Sequence, residues 1–283
     1  MADSPLIMGV LNVTPDSFSD GGDFARTEAA IAHAVELVAA GADIIDVGGE
    51  TTKPGAGRVS VEEEQRRILP VVRELVGRGI RVSVDTMNAA TAAATAELGV
   101  EIINDVSGGL ADPNMARTVA DLDVDFVAMH WRGPSSGMDG QAVYSDVVSE
   151  VHAELELRVA ELIVTGIAPH RIIVDPGLGF AKRAEHTWEV LVHLRRFQSL
   201  GSRVLVGTSR KRFLSSLLEA DAGPKQRDRA TAVTSALAAE AGAWAVRVHD
   251  VASTRLLLDA WTAIESEQPP MPHRARSSFR QPR

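Results

Sequence analysis

One theme recurs eight times along this chain and limits its fold more than any other feature. A short Val/Ile-rich run ends in Asp, Asn, Gly or His, and a longer stretch with helical patterning follows. The runs are Leu6–Leu11, Ile44–Val47, Arg81–Val84, Glu101–Ile103, Phe126–Met129, Ile172–Val174, Val204–Val206 and Ala245–Val248. Near-continuous apolar strings of this length suit strands covered on both faces. Between them, Arg26–Ala40 places Ile31, Val35 and Val38 on one helical face. Ser60-Val61-Glu62-Glu63 reads as a capping box, and Pro70 inside the following helix predicts a kink. Asp112-Pro113 reads as a helix cap and first helical position. Further helices are expected over Tyr144–Thr165, His186–Leu200, Asp228–Ala241 and Ser253–Ile264.

Strands alternating with helices place the chain in the α/β class with a parallel sheet. A closed barrel and an open doubly wound sheet both satisfy that pattern. The eightfold count and a length of 283 residues favour a single (β/α)8 TIM barrel with eight parallel strands. No linker divides residues 1–264, which read as one barrel domain. Residues 265–283 are rich in Pro and Arg and lack apolar periodicity, so a disordered tail is expected there.

Composition removes several classes of function. With 29 Lys+Arg against 38 Asp+Glu the net charge is −9, which argues against a general nucleic-acid binder. Aromatic residues are only 4%, too few for base-stacking platforms. The absence of Cys excludes a disulfide framework, a thiolate nucleophile and a Cys-based zinc site. No apolar run approaches the roughly 18 residues that a membrane span needs. No secretory signal is apparent at the N-terminus, so a cytoplasmic protein is expected.

In a barrel, polar residues at the C-terminal strand ends face the active-site mouth. Two chemical poles would meet there. Lys211, Arg210, Arg247, His249 and Lys53 are cationic, with Asn12, Thr52 and Ser209 beside them, a set suited to phosphate or carboxylate. Asp85, Asn104 and Asp175 form the other pole, able to bind the edge of a flat heterocycle. Each such residue also has a plainer use, since strand-end Asp and Asn often cap the next helix or turn.

Taken together, these segments resemble the dihydropteroate synthase family of pterin-binding barrels. The resemblance rests on Met8–Gly22, Asp46–Gly55, Val84-Asp85-Thr86, Ile103–Ser107, Met129-His130, Asp175–Phe180, Ser209-Arg210-Lys211 and Arg247–Asp250, in the family's order. It implies condensation of 6-hydroxymethyl-7,8-dihydropterin diphosphate with 4-aminobenzoate in folate biosynthesis, giving 7,8-dihydropteroate and pyrophosphate. It implies that Asp85, Asn104 and Asp175 hold the pterin edge, with Lys211 bonded to the ring and Met129 packed beside it. Asn12, Arg247 and His249 would bind the diphosphate, with Mg2+ bridging Asn12 and phosphate oxygens. Thr52, Lys53, Phe180 and Ser209 would form the 4-aminobenzoate site, the target of sulfonamides. The family's loop cation at position 53 is usually Arg, and Lys53 replaces a bidentate fork by a point charge. A homodimer is the family habit. A catalytically silent pterin-binding paralogue and a pterin-dependent methyltransferase domain are the alternatives.

Overall fold

The computed structural model describes residues 4–14, 23–50, 59–134, 137–219 and 221–266, without the side chains of 23–25, 138 and 139. Eight parallel strands close into a barrel in sequence order: β1 (Leu6–Asn12), β2 (Ile44–Gly48), β3 (Val82–Asp85), β4 (Ile102–Asp105), β5 (Asp125–Met129), β6 (Ile172–Asp175), β7 (Arg203–Val206) and β8 (Ala245–Val248). β8 pairs back onto β1 with Met8 opposite Arg247. The expected strands agree with these to within a residue or so at each end. The tail expected over 265–283 lies outside the described residues beyond Ser266.

Helices cover the barrel: α1 (Asp23–Ala39), α2 (Val61–Gly77), α3 (Ala89–Ala96), α4 (Met115–Asp121), α5 (Val147–Thr165), α6 (Ala184–Val192), α7 (Pro224–Glu240) and α8 (Val251–Glu265). Their starts follow local chemistry. Ser60 Oγ accepts from Glu63 N at the start of α2, Asp146 from Ser149 N on α5 and Asp250 from Ser253 N on α8. These satisfy backbone donors that a helix terminus leaves unpaired. α2 continues through Pro70 from Val61 to Gly77.

Two expected helices differ. α4 begins at Met115, after Asn114, and Asp112 is no cap of it. Asp112 instead accepts from Asn114 N at 2.9 Å and, across the surface, from Ala89 N at 2.9 Å at the start of α3. The stretch His186–Leu200 is broken at His193, with α6 before it and a 3-10 turn over Leu194–Leu200 after it.

Two apolar layers carry the structure. The larger lies between strands and helices and includes Ile45, Ile68, Leu75, Phe126, Leu155 and Phe197. The smaller fills the barrel interior: Met8, Ile44, Ile102, Val127, Ile173, Leu205 and Ala245, with Leu6 and Trp244 packed against it. Residues i and i+2 of a strand point to the same side, about 6.6 Å apart along the strand. Each inner-layer residue therefore places a partner one step higher on its own strand: Met8 places Val10, Ile44 Asp46, Ile102 Asn104, Val127 Met129, Ile173 Asp175, Leu205 Gly207 and Ala245 Arg247.

Candidate active site

The layer above this apolar floor is polar and tightly linked. Arg247 Nε lies 2.6 Å from Asp46 Oδ2, and its Nη2 lies 2.7 Å from Asp85 Oδ2. Asn104 Nδ2 donates to the same Asp46 Oδ2 at 3.1 Å. Asp46 is wholly buried and its Oδ1 has no hydrogen-bond partner. Burial pushes the Asp85 carboxyl up to about 7, against the pull of Arg247 and with Asp46 adding repulsion. Burial also opposes the charge on Arg247, but Asp46 and Asp85 outweigh it and hold the guanidinium above its ordinary value.

Asp175 ends β6 beside this group. Its Oδ1 accepts from Gly177 N at 2.7 Å. Gly207 on the next strand leaves a gap around which three side chains meet. A Cβ there would stand 3.7 Å from Lys211 Nζ, 3.8 Å from Arg247 Cβ and 4.0 Å from Asp175 Oδ2. Lys211 Nζ donates to Leu178 O and sits 4.8 Å from the centre of the Phe180 ring. Burial drives Lys211 down to about 8, opposed by the Asp175 carboxylate. Burial raises Asp175, opposed first by Lys211.

Nearer the mouth, His249 Nδ1 lies 2.8 Å from Ser209 Oγ, and His249 N donates to the same oxygen at 3.1 Å. Met129 is buried at the end of β5, with its Cγ 3.4 Å from where a Gly177 Cβ would stand. Asn12 ends β1, opposite Gly48 of β2.

The structure thus brings Asp85, Asn104, Asp175, Lys211, Phe180 and Arg247 together around one cavity floor, with Met129 at its β5 edge. Thr52 and Lys53 lie outside the described residues, as do residues 15–22. Arg210 does not belong to the cationic pole. It adopts a left-handed backbone with φ 59° and forks onto Asp228 of α7, with Nε and Nη2 at 2.7 and 2.9 Å from the two carboxylate oxygens. Asp105, neighbour of Asn104, faces the other way and closes its own loop, accepting from Ser107 N, Ser107 Oγ and Gly109 N.

Asp46 and Lys182 received no role from the sequence. Asp46 carries the inward period-2 signal, two residues after Ile44 on the same strand, that could have singled it out. Lys182 carries no such signal: only the fold folds it under the turn that follows β6.

The chain is similar to known proteins over most of its length. The family model "Pterin binding enzyme" matches residues 8–249. A dihydropteroate synthase of Mycobacterium leprae (strain TN) is 50% identical over 250 residues, covering 87% of this chain and 88% of the relative. The chain belongs to the dihydropteroate synthase family of pterin binding enzymes. Solved members superpose closely. The Xanthomonas albilineans dihydropteroate synthase with 4-aminobenzoic acid has a TM-score of 0.87 and 43% identity, covering 94% of both chains. The same bacterium's enzyme in complex with 7,8-dihydropteroate has a TM-score of 0.84 and 40% identity, over 94% of this chain and 95% of that one. This barrel carries Asp85, Asn104 and Asp175 toward the ends of β3, β4 and β6, above a closed apolar floor.

Proposed function

We propose that this chain is a transferase that condenses 6-hydroxymethyl-7,8-dihydropterin diphosphate with 4-aminobenzoate, releasing 7,8-dihydropteroate and pyrophosphate in folate biosynthesis. The observation that carries this reading is the set Asp85, Asn104 and Asp175, acceptors from three strands gathered one step above the apolar floor with Lys211 beside them. A flat ring laid on that floor offers its N–H edge to the carboxylates, which accept charge-assisted hydrogen bonds. Lys211 donates to the ring from the Phe180 side.

The reaction asks little covalent work of the protein. The bond between the methylene carbon and the diphosphate oxygen breaks, and its electron pair leaves with pyrophosphate. The dihydropterin delocalises the cation left behind. The nitrogen of 4-aminobenzoate then bonds to the methylene carbon and gives up one proton to solvent. His249 holds the departing diphosphate, with Asn12 and Arg247 at its inner side, while Ser209 lies beside His249 on the 4-aminobenzoate side. Preorganised donors of this kind act on the charge that develops in the transition state. Thr52 and Lys53 complete the 4-aminobenzoate site with Phe180, and sulfonamides compete there.

Among the described residues no group of three or more His, Asp or Glu could hold a metal ion. The single amide oxygen of Asn12 at the end of β1 suits Mg2+ arriving with the diphosphate, because Mg2+ keeps waters and phosphate oxygens as most of its ligands. Asn12 would be its protein ligand, and the ion would neutralise charge on the leaving group.

No helix among the described residues is long and apolar enough to cross a membrane. A cytoplasmic homodimer belongs to the same proposal, and sedimentation of the purified chain tests the dimer.

The deciding experiment is pyrophosphate release by the purified chain with and without 4-aminobenzoate. Release that requires 4-aminobenzoate supports the synthase. Pterin binding with no release would mark a silent paralogue and overturn it.

A further inference from the structure

A second polar group lies behind the cavity, and the reaction as described does not use it. Lys182 is buried, with 8% of its surface exposed. Its Nζ lies 2.8 Å from His130 Nδ1, 3.2 Å from Gly177 O and 3.2 Å from Phe180 O. An ammonium has three N–H donors, and these acceptors use all of them. His130 is held in turn. Its Nε2 lies 2.9 Å from Glu154 Oε2 on α5, and Glu154 is clamped by Arg132. The Arg132 guanidinium lies 3.9 Å from the centre of the Tyr144 ring, and Tyr144 donates to Ala181 O at 2.9 Å.

All these contacts converge on one turn, Asp175–Lys182. Its backbone is left-handed at three alternate positions: Gly177 (φ 65°), Gly179 (φ 76°) and Ala181 (φ 46°). That region disfavours residues with a side chain, so Ala181 needs support from its surroundings. The turn presses on its neighbour, since a Cβ on Gly177 would stand 2.5 Å from His130 O. His130 N donates to Asp175 O at 2.8 Å, so His130 grips the turn through its backbone at one end and through Lys182 at the other. The same turn carries Asp175 and Phe180, and its Leu178 carbonyl anchors Lys211.

We propose that Lys182 is a positioning residue for the reaction: through His130 and the carbonyls of Gly177 and Phe180 it holds this turn where Asp175, Phe180 and Lys211 meet the substrates. This rests on the placement of Asp175 and Phe180 at the pterin and 4-aminobenzoate given above. Burial lowers Lys182 to about 7, opposed by the Asp175 carboxylate, and lowers His130 to about 4. A neutral His130 is what the geometry needs, accepting at Nδ1 from Lys182 while donating at Nε2 to Glu154.

The test is Lys182→Met, which keeps length and removes the three donors. The expected result is a rise of about tenfold in KM for 4-aminobenzoate and in Kd for 6-hydroxymethylpterin, with kcat changed by less than about threefold. A purely structural role would leave fewer active molecules, lowering kcat with KM unmoved, and that result overturns the proposal. So does a folded variant with both constants within about twofold of wild type. If Lys182→Met does not fold, Glu154→Gln decides, because it removes charge from the far, partly exposed end of the same chain. A rise of about threefold in both constants supports the proposal, and constants unchanged from wild type overturn it. Wild-type chain runs alongside. Wild type without 4-aminobenzoate-dependent release refutes the synthase reading, whereas active wild type beside an unaffected variant refutes only the role of Lys182.

Discussion

Arg247 bridges two carboxylates from different strands, with Nε 2.6 Å from Asp46 Oδ2 and Nη2 2.7 Å from Asp85 Oδ2. One guanidinium thereby ties the end of β3 to the middle of β2, which makes the arginine a structural part of the layer above the apolar floor.

Arg247→Met should therefore cost stability as well as activity. Removing one partner of a buried ion pair strands the other charge, at about 3–5 kcal/mol. The double variant Arg247→Met, Asp85→Asn should recover part of that loss, because one stranded charge goes with it. Urea unfolding at neutral pH checks both. A double variant no more stable than the single would show that Arg247 does not compensate Asp85.

Asp175→Asn isolates the pterin contact. Oδ1 is committed to Gly177 N, and Oδ2 lies toward Gly207 on the cavity side. The amide would present an NH2 group to a donor or to Gly177 N, with a loss of about 1.5–3 kcal/mol for the charged bond and a further 1–3 for the stranded donor. Calorimetric titration with 6-hydroxymethylpterin should show affinity down by about a hundredfold or more. A folded variant binding within about threefold of wild type would take Asp175 out of the site.

Gly207→Ala probes space without touching charge. Every neighbour of the added methyl stands at 3.7 Å or more, ordinary contact, so Tm should stay within about 2 °C of wild type. The methyl nevertheless projects among Lys211, Arg247 and Asp175, where the proposed function puts the ring. Pterin affinity should fall by at least about tenfold. Unchanged affinity would place the ring elsewhere in the barrel.

His130 predicts a pH dependence. Its ring faces Lys182 at Nδ1 and Glu154 at Nε2, with Arg132 behind Glu154. Burial, then Lys182, lowers its pKa from 6.5 to about 4. Between those values the unfolded chain binds a proton that the folded chain refuses. Its contribution to stability is full above about pH 6.5 and is lost on acidification, at about 1.4 kcal/mol per pH unit within the window. His130→Gln should be less stable than wild type near neutral pH, and the gap in Tm should narrow by about pH 4.5. A gap independent of pH would mean that His130 is not held neutral.

The barrel was legible because each strand is buried on both faces, so Ile172-Ile173-Val174 or Ala245–Val248 stand out as unbroken apolar strings. Asp85, Asn104 and Asp175 were legible because they end such strings. What escaped depends on partners distant in sequence. Arg210 looked like an anion ligand beside Lys211, but a left-handed turn aims it at Asp228 on α7. Asp112 looked like the cap of its own helix, yet it accepts from Ala89 N of the neighbouring one. Lys182 ends no apolar string, and only the fold over Gly177 and Gly179 brings its ammonium to His130.

The seven side chains that fill the barrel below Asp46 and Asn104 have a kinetic meaning. A vessel stoppered at its base has a single door. Whatever lies on the stopper enters before anything resting above it and departs after it. With the pterin on this layer and 4-aminobenzoate above it, as proposed, traffic through the barrel would be a stack, last in and first out, its order set by Met8, Ile44, Ile102, Val127, Ile173, Leu205 and Ala245.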